Sequence, residues 1–304
     1  MSIVSNSTAA FYQRSLGQMS GLRSELERLQ AQVATGERFD RSSDDPVAAS
    51  RLRALARAER LDTVNGDNAD RLSRDLEAAS DQITGVSNLL IRAREIAINA
   101  GNDAIGDEAR NAIATELEEL GEELFNRANS NALSGEPLFA GEIGTSAYVR
   151  NPDGSASYAG TAVSGSLTVA DGVSIERGVT GPQVFEFAVG GTPGDAFALI
   201  ADLAVALRTG TDPGAAARDT LAGFDAALES SNRSQTVVGA RLAWIDSLQQ
   251  NQIDREFLRA EEQAEVGGAD LTESIAQLQQ TLTVLEASQA SFARLSSLSL
   301  FNAL

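Results

Sequence analysis

Apolar residues recur at alternating intervals of three and four at both ends of the chain. Met19, Leu22, Leu26, Leu29 and Val33 do so near the start, and Leu271, Ile275, Leu278, Leu282 and Leu285 near the end. Each set lays a narrow apolar seam along one face of a helix, a pattern that needs a partner helix to cover it. A third seam is longer still: Ala69, Leu72, Leu76, Ala79, Ile83, Val86, Leu90, Ala93 and Ala97. The helix that carries it, predicted over 46–99, would span roughly 80 Å at the helical rise. A chain whose first and last segments both await a helical partner reads as one built to assemble.

Local signals set the boundaries. The first helix is predicted over 8–34, closed by Thr35-Gly36, where Gly suits a left-handed C-terminal position. Ser43-Asp44-Asp45-Pro46 then starts the second, with Asp45 as cap and Pro46 in the first turn. A third helix is expected over about 107–131, with Ile113, Leu117, Leu120 and Leu124 as its buried stripe. Between about 133 and 194 the heptads vanish and Gly, Ser, Thr and Val rise. Strand candidates there are 147–150, 155–158, 166–169, 173–176 and 184–189. Helix resumes over 195–208, again over 213–265, and finally after Asp270. Trp244 falls inside the 213–265 run and is expected to pack in the bundle.

Composition removes most catalytic chemistry. The chain has no Cys, no His and no Lys, so every one of its 24 basic residues is Arg. Thiol nucleophiles, imidazole bases, Schiff bases and the Lys of a phosphate loop are therefore absent. The net charge of −19 argues against nucleic acid and anionic membranes as partners. That charge is concentrated in the body: residues 1–40 are neutral and residues 268–304 carry −2, against −17 between them. The start lacks the basic and apolar regions of a cleaved signal peptide, and no apolar run approaches the ~18 residues of a membrane span.

Several motifs, taken together, resemble the flagellin superfamily, and within it the hook–filament junction family. They are Ala34-Thr35-Gly36-Glu37-Arg38, then Ser43-Asp44-Asp45-Pro46-Val47-Ala48-Ala49-Ser50, Asn126-Arg127-Ala128-Asn129-Ser130 with Leu138-Phe139-Ala140-Gly141, and Val238-Gly239-Ala240-Arg241-Leu242. The end adds Ala269-Asp270-Leu271, Gln277-Leu278, Leu285-Glu286-Ala287-Ser288-Gln289 and Leu298-Ser299-Leu300-Phe301-Asn302-Ala303-Leu304. Asp-Asp-Pro and Leu-Phe-Ala-Gly favour the junction branch over filament-forming flagellins; Glu37 departs from the Lys common in the family. The resemblance implies a mainly α fold, a long antiparallel helical bundle of N- and C-terminal regions with a small β-rich insertion. It implies a structural, non-enzymatic subunit without cofactors, outside the cell and exported without a cleaved signal. Its implied partners are its own copies in a ring or helical array, hook-associated protein 1, flagellin and an export chaperone.

The expected domains are 1–40 with 268–304 as a terminal coiled coil, 41–139 with 195–267 as the bundle, and 140–194 as the β-rich insertion. The expected interface comprises the two end seams with Arg38, Asp44 and Asp45 in the linker. Replacing Leu278 and Leu282 by Asp should block assembly and leave the body folded. The alternative within the superfamily is a junction-like flagellin that itself polymerises into the filament. A more distant one is a surface glycan-binding protein, with Tyr148 and Tyr158 stacking on sugars and Asp153 or Glu176 supplying carboxylates. Cross-strand packing accounts for the tyrosines without a ligand.

Overall fold

The computed structural model describes residues 2–142, 144–152 and 154–301, with side chains described between 10 and 294. The elements run α1 (Ser2–Thr35), α2 (Pro46–Ala100), α3 (Asp107–Ala128), β1 (Tyr148–Arg150), β2 (Ala156–Tyr158), β3 (Ser166–Ala170), β4 (Val173–Glu176), α4 (Gly181–Phe185), β5 (Glu186–Val189), β6 (Thr192–Asp195), α5 (Ala196–Thr209), α6 (Pro213–Gly267) and α7 (Leu271–Phe301). They form two compact units, Met1–Arg60 with Asp254–Leu304, and Leu61–Ile253. No helix of the described residues is long and apolar enough to cross a membrane.

The larger unit is organised by the α2 seam. All nine residues from Ala69 to Ala97 that share its spacing are buried. They meet Leu117 and Leu124 of α3, Ile200, Leu203 and Leu207 of α5, and Phe224, Val238 and Ile245 of α6 in one continuous core. Such burial is the dominant favourable term in holding the helices together.

Three antiparallel hairpins follow the chain: β1–β2, β3–β4 and β5–β6. A lone hairpin is marginal in water, so each is expected to lean on helices. Arg150 Nη2 of β1 donates to Glu122 Oε2 of α3 at 2.9 Å, Asn68 Nδ2 of α2 to Thr168 O of β3 at 2.9 Å, and Ser230 Oγ of α6 to Glu186 O of β5 at 2.8 Å.

The run 184–189, expected to be a single strand, is divided. Residues 181–185 form α4 because Thr180 and Gln183 make a reciprocal capping box with Pro182 in the first turn. Only 186–189 remains strand, and it pairs with β6, which the alternation of the sequence had not suggested. Gly190 and Gly191 make that pairing possible, at φ +58° and +87°, the two positive values a tight hairpin turn requires. Trp244 also differs from expectation: it lies on the outer face of α6, half exposed.

Candidate assembly interface

The site begins where α1 stops. Gly36 takes φ +73°, and its amide donates to Gln32 O at 2.8 Å to close the helix. Arg38 N then donates to Gly267 O at 2.7 Å, and Ala269 N to Gly36 O at 2.8 Å. Glu37 and Gly268 form an antiparallel bridge between them. The linker leaving α1 and the linker entering α7 are thus tied backbone to backbone. Gly268 is required in this clamp, since a Cβ there would collide with the carbonyl oxygen of Ala264.

Asp45 caps α2 as expected, its Oδ1 accepting from Ala48 N at 3.0 Å. Its second oxygen accepts from Arg38 Nη2 at 2.8 Å. Asp44 accepts from Arg41 N at 3.2 Å and closes the linker on itself. Arg38 and Asp45 are therefore paired, while Asp44 holds a separate turn with Arg41 and Ser43. Because the Arg38–Asp45 pair is largely exposed, it contributes at most about 1 kcal/mol and acts mainly to fix the geometry.

α1 and α7 run antiparallel, with Gly36 beside Ala269 at one end and Tyr12 against Phe292 at the other, ring centroids 5.3 Å apart. On α1 the expected seam faces inward: Leu29 is fully buried, and Met19, Leu22, Leu26 and Val33 are half-buried. On α7 the expected seam is split between two faces. Leu278 and Leu285 belong to the covered face, in line with Ser274, Thr281, Ser288 and Phe292. Leu271, Ile275 and Leu282 lie on a neighbouring face and are 46%, 42% and 36% exposed. One helix of the pair therefore presents a second apolar stripe to solvent. The Leu298–Leu304 motif lies outside the residues whose side chains are described.

Two close ion pairs lie at the surface of the unit. Arg28 holds the Glu25 carboxyl below the ordinary carboxylate range through a side-chain hydrogen bond, and Arg51 does the same to Glu262 across α2 and α6. The carbohydrate alternative finds little support. Tyr148 is only 4% exposed, and its ring lies 5.4 Å from that of Tyr158 across the hairpin. Glu176 is ion-paired to Arg241, and Asp153 lies outside the described residues.

Residues 4–143 match the model of the bacterial flagellin N-terminal helical region. The chain is 26% identical over 315 residues to flagellar hook-associated protein 3 of Escherichia coli (strain K12), a match covering 97% of this chain and 98% of the relative. It is 27% identical over 179 residues to flagellar hook-associated protein 3 of Salmonella typhimurium, covering 59% of this chain and 56% of that protein. In fold it is similar to a putative flagellar hook-associated protein from Vibrio parahaemolyticus, with a TM-score of 0.68 at 21% identity, over 74% of this chain and all of that one.

Proposed function

We propose that this chain, a member of the flagellin superfamily with a flagellin N-terminal helical region over residues 4–143, is the structural subunit of the junction between flagellar hook and filament. The observation that carries the reading is the end-to-end match to the Escherichia coli hook-associated protein, which takes in the β-rich region as well as both helical ends. The open stripe of α7 supports it, since exposed apolar side chains in register along a helix suit burial by neighbouring subunits. In this reading residues 1–40 with 268–304 form the inner coiled coil, 41–139 with 195–267 the bundle, and 140–194 the outward insertion. Copies of the chain form a ring, with hook-associated protein 1 beneath it and flagellin above. The chain is exported through the flagellar apparatus with a chaperone and without a cleaved signal.

Negative-stain microscopy of the purified full-length chain, concentrated and salted without a seed, tests this. Soluble subunits that assemble only on hook-associated protein 1 are expected. Long regular filaments of the chain alone would instead make it a filament-forming flagellin.

A further inference from the structure

Within the smaller unit, the outer faces of α2 and α6 carry opposite charge. Over residues 46–60, α2 directs Leu55 into the core and Arg51 toward α6, where Arg51 Nη2 donates to Glu262 Oε2 at 2.8 Å. Arg53, Arg57 and Arg60, spaced by four and three, share the opposite, exposed face. Arg60 donates to Ala56 O of its own helix at 3.1 Å. Among the described residues Arg53 and Arg57 have neither hydrogen bond nor ion pair. On α6, Glu262 and Gln263 turn toward α2. Asp254, Leu258, Glu261 and Glu265 follow at four-three-four spacing along an exposed flank beside that face. Those three carboxylates likewise have no partner among the described residues. Beside them Phe257 is 71% exposed and Leu258 62%.

The physics of this arrangement points to a second copy of the chain. Two bodies of net charge −19 repel, so close approach is favoured where one of them presents a cationic stripe. The arginines suit the three carboxylates by charge, and a guanidinium also stacks well on an aromatic ring such as Phe257. Ala54 and Ala58, exposed along the flank of the arginine stripe, leave room for that ring. The arginine stripe lies opposite Arg51 on α2 and the acidic stripe along the flank of α6, so the two are separate patches of the unit. A contact between such unlike patches is heterologous, and it leaves one patch of each kind free to take the next copy. We infer that Arg53, Arg57 and Arg60 of one copy dock on Asp254, Glu261, Glu265, Phe257 and Leu258 of the next. This rests on the reading of the chain as an assembling subunit and adds the surface through which its copies meet.

The chain has no cysteine, so engineered thiols report without background. Full-length Arg57→Cys and Glu261→Cys variants, each checked by circular dichroism for native helicity, are mixed under mild oxidation and followed on non-reducing gels. The mixed disulfide should form about tenfold faster than either homodimer, within the range of electrostatically steered association, and should slow as salt is added. A chain carrying both thiols should give a ladder beyond the dimer. A mixed disulfide no faster than the homodimers, or a double variant that stops at the dimer, would overturn the surface. This readout needs no flagellum, so it fails separately from the junction reading, which the microscopy of assembly on hook-associated protein 1 decides.

Discussion

Asp75 shows how a single carboxyl in the larger unit sets a pH dependence. It sits partly buried on α2, lining a small cavity with Glu136, Leu138, Glu142 and Arg177. Burial pushes its pKa up; Arg177 nearby pulls it back, and Glu136 adds to the rise. A carboxyl raised in the folded state favours folding most when protonated. Its contribution is complete below the unfolded value of about 3.9 and is lost as pH rises through the folded one. Asp75→Asn, which stays neutral, should therefore melt higher than the native chain at pH 7, with the gap closing below about pH 4. Equal melting temperatures at pH 7 would refute this account of Asp75. Tyr148 faces a related problem without the titration: its hydroxyl is buried with no hydrogen-bond partner among the described residues. Tyr158 alongside shares its single hydroxyl proton between the carbonyl oxygens of Phe139 and Thr161, at 3.0 and 2.8 Å.

Among the elements, α2 was the most legible in the sequence. Its apolar positions keep one spacing across the whole larger unit, and a buried seam leaves no freedom in which residues face inward. The Asp45 cap was equally readable, because its mechanism is local. α7 was not, for a physical reason. Its covered face is built from Ser274, Thr281 and Ser288 alternating with Leu278, Leu285 and Phe292. Counting apolar residues alone merges that face with the exposed stripe beside it. The seven-residue spacing of small polar residues was the signal available. α4 and β6 were missed because a capping box and a Gly-Gly turn overrode the β-like composition around them. The split of α7 sharpens the prediction for assembly. Leu271→Asp, Ile275→Asp and Leu282→Asp together alter exposed positions, where substitutions away from special features usually stay within about 0.5 kcal/mol each. The triple variant should keep native circular dichroism yet fail to restore filaments in a strain lacking the chain. Wild-type filament numbers would show that the open stripe is not used.

At the scale of the whole molecule, charge and apolar surface separate. The first forty and last thirty-seven residues are nearly neutral, while the body carries almost all of the net charge of −19. Neutral ends pack together at little electrostatic cost, and an acidic body stays solvated and resists indiscriminate association. A clamp of backbone hydrogen bonds joins the linkers at which α1 ends and α7 begins, so the two helices are held in register with each other. The motifs at both ends made this organisation readable in outline, since the seams and linker signals are local in sequence. The charged outer faces of α2 and α6 were not, because only folding shows which arginines and carboxylates are left without partners. The proposed role puts this subunit at the boundary between hook and filament. Immunogold electron microscopy of flagella isolated from a bacterium that encodes the chain checks that placement. Label confined to the boundary of hook and filament is the predicted result, whereas label distributed along the filament would contradict it.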